Sequence, residues 1–173
     1  MKNLAILGST GSVGKSTLDV VRRNNDKFQI NLLTANKNFE ILLEQVHEFQ
    51  PKFIYLNNPD AQKSLVEAAK SLNFNTTFLT NEDELMDILS SQESEIIVAA
   101  MVGVAGLKPV HHAVKNGKQI LLANKESYVV AGEMLNNLSI ETGSTIFPID
   151  SEHSAIHQCL TGIEDKGSVS RII

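Results

Sequence analysis

Cysteine is almost absent from this chain: Cys159 is the only one in 173 residues. That excludes a disulfide framework and a cysteine-based zinc site. Basic residues are outnumbered, with 15 Lys and Arg against 20 Asp and Glu, for a formal net charge of −5. A general binder of nucleic acid or of an anionic membrane needs a basic face, so neither partner is expected. Local phosphate binding stays open, because a helix N-terminus does this without net charge. Long apolar runs are missing too. The longest, IIVAAMVGVAGL at 96–107, falls far short of the ~20 residues that span a bilayer. Met1, Lys2 and Asn3 lead straight into a short apolar strand with no recognisable leader, so a cytosolic protein is expected. Neither an internal repeat nor a low-complexity linker is present.

What is present is a chain 42% hydrophobic and 20% charged, enough for a real core. Apolar runs alternate with amphipathic segments. NLAIL, QINLLTA, KFIYL, TTFLT, EIIVAAM, KQILLA and STIFPI read as strands. Between them lie helices at 13–24, 38–49, 59–72, 81–91, 107–117 and 125–139. The second shows Phe39, Ile41, Leu42, Leu43, Val46 and Phe49 at helical spacing, closed by Pro51. Strict alternation with strands that are apolar throughout predicts an α/β, doubly wound, mostly parallel sheet covered on both faces. The pattern changes near residue 150. DSEHSAIHQCL reads as a helix, TGIEDKGS as a loop and VSRII as a new strand. The expected division is a Rossmann-like domain over 1–149 and, from 150 to 173, the start of a second, α+β catalytic domain.

The first strand runs into ILGSTGSVGKST, which suggests two phosphate loops at once. An ATP-binding P-loop needs G-x-x-x-x-G-K-[ST]. Gly14, Lys15 and Ser16 match its end, but its first glycine falls on Ser9. A possible acidic partner, Asp150, follows a strand weakened by Pro148. The dinucleotide reading needs a strand, a tight glycine turn and a helix N-terminus. Gly8, Gly11 and Gly14 supply it as G-x-x-G-x-x-G, with Thr10 and Ser12 adding hydroxyls. The tip of the second strand, Asn36-Lys37-Asn38, lacks the acid that NAD binders place on the ribose. Lys37 suits a 2′-phosphate, hence NADP; the alternative is a solvated loop lysine.

Two further clusters follow strands. Asn124, Lys125 and Glu126 stand after ILLA, at the edge where open parallel sheets bind ligands. Asp150 and Glu152 are separated by one residue, a pair able to share Mg²⁺ or Mn²⁺, with Ser151 between them for substrate. His153 and His157 have the spacing of a zinc pair, yet no third ligand is identifiable, and they read as surface or packing residues.

ILGSTGSVGKSTLDVV, LLANKESYV and PIDSEHSAIHQCL together resemble the amino-terminal part of the 1-deoxy-D-xylulose 5-phosphate reductoisomerase family, in the family's order and spacing. The resemblance implies conversion of that sugar phosphate to 2-C-methyl-D-erythritol 4-phosphate in non-mevalonate isoprenoid synthesis. It implies NADPH, a divalent cation (Mg²⁺, Mn²⁺ or Co²⁺) and a homodimer. Carried over by motif, Thr10, Gly11, Ser12 and Val13 hold the pyrophosphate, within the turn framed by Gly8 and Gly14. Asn36, Lys37 and Asn38 surround the adenosine ribose phosphate. Asn124 and Glu126 contact NADPH, and Lys125 and Ser151 contact substrate. Asp150 and Glu152 bind the metal, so the implied catalytic groups are Lys125, Asp150 and Glu152. Two departures stand out: Asn36 replaces a common glycine, and Lys15 falls outside the family motif. Family members are also much longer, and their remainder supplies another acidic ligand, the substrate-phosphate site, a lid and a helical domain. The 173-residue chain alone is therefore expected to bind NADPH weakly and not to turn over substrate. Two other classes remain: a P-loop phosphotransferase using Lys15, Ser16 and Asp150, and a non-catalytic nucleotide sensor in which Asp150 and Glu152 only cap a helix.

Overall fold

A computed structural model describes residues 1–69, 75–163, 167 and 169–172. Among these residues seven strands form one parallel sheet: β1 (Lys2–Leu7), β2 (Phe28–Ala35), β3 (Phe53–Leu56), β4 (Thr77–Leu79), β5 (Ile96–Ala99), β6 (Gln119–Leu122) and β7 (Thr145–Pro148). Their spatial order is β4-β3-β2-β1-β5-β6-β7. The chain thus winds outward from β1 to β4, returns past β1, and winds outward again to β7. That is the expected doubly wound arrangement.

Among the described residues seven helices accompany them: α1 (Ser12–Arg23), α2 (Phe39–Phe49), α3 (Pro59–Ala69), α4 (Glu82–Ser90), α5 (Leu107–Lys115), α6 (Lys125–Thr142) and α7 (Ser151–Leu160). A 3-10 turn, Val104–Gly106, precedes α5. The residues 70–72 of the expected third helix lie outside the described residues. Side chains on β1 point alternately to two cores. Leu4 and Ile6 pack with Leu18, Val21, Leu42, Val46 and Leu65 of α1–α3. Ala5 and Leu7 pack with Leu85, Leu89, Val110, Val114 and Leu135 of α4–α6. Burial on both faces is why the central strands are continuously apolar rather than alternating. Helices change face when the winding direction reverses, as right-handed crossovers require.

Pro148 resolves in favour of its chemistry. It ends β7, an edge strand, where its missing N–H costs no ladder bond. α6 is longer than expected and breaks at Ala131 (φ −140°, ψ 23°). The β-branched pair Val129 and Val130 and the following Gly132 are weak helix formers, which explains a break there. One expectation fails: Val169–Ile172 are not in a strand, and within that segment Ile173 lies outside the described residues. An apolar stretch needs a neighbouring strand to pair with, and composition alone does not provide one. Of the expected loop 161–168, residues 164–166 and 168 also lie outside them.

Candidate functional site

The reversal of winding between β1 and β5 opens a crevice at their carboxyl ends, the place where open α/β sheets take ligands. Four stretches reach it or border it: the turn after β1, the loop after β5, and the starts of α6 and α7.

The turn after β1 is built on Gly8, at φ +90°. A β-carbon there would lie 2.8 Å from the Ala100 carbonyl oxygen, so only glycine lets the loops after β1 and β5 meet. The Gly8 N–H donates to Thr34 Oγ1 (3.0 Å) and the Ser9 N–H to the Thr34 carbonyl (2.8 Å), which ties the turn to β2. Gly14 packs α1 against this turn; a β-carbon on it would lie 2.6 Å from Ser9 Cα. Gly11 is different. Its φ is −77°, and its absent β-carbon would meet only the Gly8 oxygen, at 3.5 Å. The chain's own packing does not demand a glycine at 11, but close approach of a ligand does.

α1 then begins without help. Gly11 caps it and no side chain accepts from its first N–H groups, nor does an acidic residue stand in its first turn. Asn38, Asn81, Asn124 and Asp150 do cap α2, α4, α6 and α7. Thr10 is half-buried and Gly11 and Ser12 are exposed; the Gly11 N–H donates to the Gly8 carbonyl (3.2 Å), and the positive end of the helix dipole faces outward just beyond it. This is an anion cradle fitting the pyrophosphate of a dinucleotide. Lys15 stands outside it, exposed, on a groove between α1 and α2 with Asp19, Arg22, Glu44 and Glu48.

Beyond β2, Asn36, Lys37 and Asn38 are exposed. The Asn36 carbonyl accepts from the Asn58 N–H (3.0 Å). Asn38 spends its side-chain oxygen on the Ile41 N–H (3.3 Å). Its capping task is thus settled inside the protein, leaving Asn36 and Lys37 as the freer pair at this tip.

Asn124 is 1% exposed, and its amide is committed internally. Its Nδ2 donates to the carbonyls of Met101 (2.7 Å) and Gly103 (2.9 Å) and to Glu126 Oε2 (3.1 Å). Its Oδ1 accepts from the Ser127 N–H (3.2 Å) and the Ser127 hydroxyl. Gly106 leaves room for it, since a β-carbon there would lie 2.8 Å from Asn124 Oδ1. The Asn124 side chain holds the loop after β5 against the start of α6. Glu126 is half-buried in the same cluster, and Lys125 is exposed.

Asp150 caps α7, accepting from the His153 N–H (3.2 Å) and pairing with His153 Nδ1 (2.6 Å). Burial pushes its carboxyl up, but the bonds and charge from His153 prevail and hold it below the usual range. Glu152 is also held low, by its own backbone N–H, the Ser151 hydroxyl and the Lys125 charge. Lys125 Nζ lies 3.6 Å from Glu152 Oε2, which joins the two sequence clusters. Ser151 is exposed between the carboxylates. Two carboxylates are an incomplete donor set for a hard divalent cation, which takes six or so oxygens. Among the described residues no group of three acidic, histidine or cysteine side chains is arranged to hold a metal. His157 packs edge-on against Phe147, with centroids 6.1 Å apart.

Residues missed from the sequence include Thr34, Ser9 and Gln45. The signal for Gln45 was available: it sits between Leu42 and Val46 on the apolar side of α2, where a glutamine needs a partner.

The family model for 1-deoxy-D-xylulose 5-phosphate reductoisomerase matches residues 4–132. The reductoisomerase of Haemophilus ducreyi is 46% identical over 160 residues, 92% of this chain and 40% of that protein. That of Clostridium perfringens strain 13 is 43% identical over 94% of this chain and 42% of its own length. The chain therefore spans about 40% of the length of such relatives. A crystal structure of DOX-P reductoisomerase in complex with NADPH, fosmidomycin and magnesium superimposes with a TM-score of 0.87, at 41% identity over 94% of this chain and 40% of that one. The Zymomonas mobilis enzyme in complex with NADPH gives 0.83, at 37% identity over 91% of this chain and 41% of that one. A putative homoserine dehydrogenase from Archaeoglobus fulgidus, at 16% identity and a TM-score of 0.52, shares the fold alone. Because the family model matches 4–132 of the 173 residues, most of the chain, the chain belongs to the 1-deoxy-D-xylulose 5-phosphate reductoisomerase family.

Proposed function

We propose that this chain is the NADPH-binding part of a reductoisomerase that converts 1-deoxy-D-xylulose 5-phosphate to 2-C-methyl-D-erythritol 4-phosphate. The observation that carries the reading is the uncapped start of α1 beneath an open Gly11, in a family member that superimposes on an NADPH complex. Thr10, Gly11, Ser12 and Val13 hold the pyrophosphate: Thr10, Ser12 and Val13 offer main-chain N–H groups and hydroxyls, and Gly11, whose N–H donates to the Gly8 carbonyl (3.2 Å), allows close approach. Asn36 and Lys37 take the ribose 2′-phosphate, and no acid at that tip repels it. Asn124 keeps the loop 101–103 in place at the crevice, and Glu126 assists it. NADPH supplies the hydride that reduces the rearranged aldehyde.

Lys125 and Ser151 orient the sugar phosphate, and Lys125 is itself held towards Glu152. Asp150 and Glu152 are the carboxylates this chain offers to a divalent cation (Mg²⁺, Mn²⁺ or Co²⁺), and both stay ionised well below neutral pH. Further oxygens must complete that cation's shell. We place the domain boundary between 149 and 150, because α7 buries none of its residues in this sheet. We also propose a cytoplasmic homodimer without nucleic-acid or membrane partners. No helix among the described residues is long and apolar enough to cross a membrane.

The P-loop alternative loses support from Ser9, which is buried and hydrogen-bonded where the motif needs a glycine, and from the outward placement of Lys15. Calorimetric titration of the chain decides between the readings. NADPH binding without ATP binding is expected; ATP binding without NADPH binding overturns the proposal. Measurable turnover by the 173-residue chain would contradict the proposed division of labour.

A further inference from the structure

We infer that Gln45 is a positioning residue for the pyrophosphate turn, acting through Ser9; the inference rests on the NADPH reading above. Gln45 lies on α2, 6% exposed, outside the strand-turn-helix unit that carries the glycines. A buried glutamine amide destabilises unless it is hydrogen-bonded. Both of its bonds go to one residue. Its Nε2 donates to the Ser9 carbonyl (3.0 Å), and its Oε1 accepts from the Ser9 hydroxyl (2.7 Å). The orientation of the amide follows from chemistry, since a carbonyl only accepts and must face the NH₂ group.

Ser9 is 0% exposed and is gripped from three sides. β2 holds its N–H through the Thr34 carbonyl, α1 presses on its Cα at Gly14, and α2 holds its carbonyl and hydroxyl through Gln45. The carbonyl matters for function. In a planar trans peptide, C=O and N–H point in opposite directions. A Ser9 carbonyl held inward by Gln45 turns the Thr10 N–H away from α2. Thr10 begins the stretch that takes the pyrophosphate. Gln45 therefore aims a phosphate donor without touching the phosphate.

The test uses Gln45→Met, which keeps the length of the side chain and removes both hydrogen bonds. NADPH affinity of the 173-residue chain is measured by cofactor fluorescence, and adenosine 2′-phosphate affinity by chemical-shift titration. The second ligand occupies only the Asn36–Lys37 end. NADPH binding is expected to weaken about tenfold, with adenosine 2′-phosphate within about twofold. Amide exchange at Thr10–Val13 is expected to quicken more than exchange in β1. Equal weakening for both ligands, or none, overturns the inference. Should Gln45→Met fail to fold, Gln45→Glu keeps an acceptor for the Ser9 hydroxyl but, ionised, has no donor for its carbonyl. The same selective loss is expected of it, and unchanged NADPH affinity overturns the inference. A Ser9→Ala/Gln45→Met pair should be less than additive, because the two changes share one contact. If the unaltered chain binds no NADPH, the functional reading fails on its own. Exchange at Thr10–Val13 then decides the clamp: a selective increase supports it, and a uniform one sinks it.

Discussion

Lys125 and Glu152, 27 positions apart in the chain, stand as an ion pair of 3.6 Å, with half or more of each side chain exposed. The pair links the first residue of α6 to the first turn of α7, and so brings the proposed substrate lysine to a proposed metal ligand. An exposed pair of this kind contributes only ~0–1 kcal/mol to stability. Lys125→Met is expected to leave the melting temperature within about 2 °C. It should raise the Glu152 carboxyl towards the ordinary range, read by NMR titration, because one cause of its depression disappears. With the competing ammonium gone, weak Mn²⁺ binding at Asp150 and Glu152 should tighten, read by paramagnetic broadening. Unchanged titration of Glu152 would mean that the pair does not persist in solution.

The three glycines of the first turn should separate cleanly under substitution. Gly14→Ala puts a methyl group within 3 Å of Ser9 backbone atoms, and overpacking of this kind costs ~1–3 kcal/mol or more. A large drop in melting temperature is expected. Gly11→Ala meets nothing closer than 3.5 Å and should melt like the parent chain. It should nevertheless bind NADPH at least about fivefold more weakly, as the added methyl occupies the ligand's side of the turn. Equal binding by the Gly11 variant would remove close approach as the reason for that glycine.

Lys15 is the residue that makes the turn look like an ATP site. It is exposed on the α1–α2 groove, away from the cradle. Lys15→Ala is therefore expected to hold NADPH within about twofold and the fold within ~0.5 kcal/mol, as for other surface substitutions. Abolished NADPH binding would place the lysine on the phosphates after all.

The cap on α7 should respond to acid. The Asp150 carboxyl is depressed below its ordinary 3.8, so the folded state binds its proton less readily than the unfolded chain. Its contribution is present at pH above about 4 and is lost as pH falls through the depressed value. Amide exchange in α7 should be slow near neutral pH and should lose protection selectively as pH falls below the ordinary carboxylate range. His153→Ala should move the Asp150 carboxyl upward. Failure of that shift would assign the depression to another source.

Much of this molecule was legible in advance for one reason: the information is local. Apolar runs four to eight residues long and helical spacing in between are enough to place strands and helices. The glycine turn announces itself because backbone geometry and close packing at Gly8 and Gly14 admit little else. The edge position of β7 was foreshadowed by Pro148. Other features had no local signature. The bonds of Asn124 run to Met101 and Gly103, on a loop more than twenty residues earlier. Val169–Ile172 looked like a strand from composition, and among the described residues no partner strand receives it.

By itself, then, the sequence determined the alternation of elements, the glycine turn after the first strand, the absence of an acid at the β2 tip and the family. Those depend on neighbours within a few residues, where covalent geometry and periodicity constrain the answer. Only the tertiary structure decided which distant side chains meet and hold the frame. Gln45 reaches Ser9 across 36 residues, and Lys125 reaches Glu152, because the winding of the parallel sheet sets those elements side by side. A buried amide or an exposed ammonium takes its role from what that packing leaves within three or four ångströms of it.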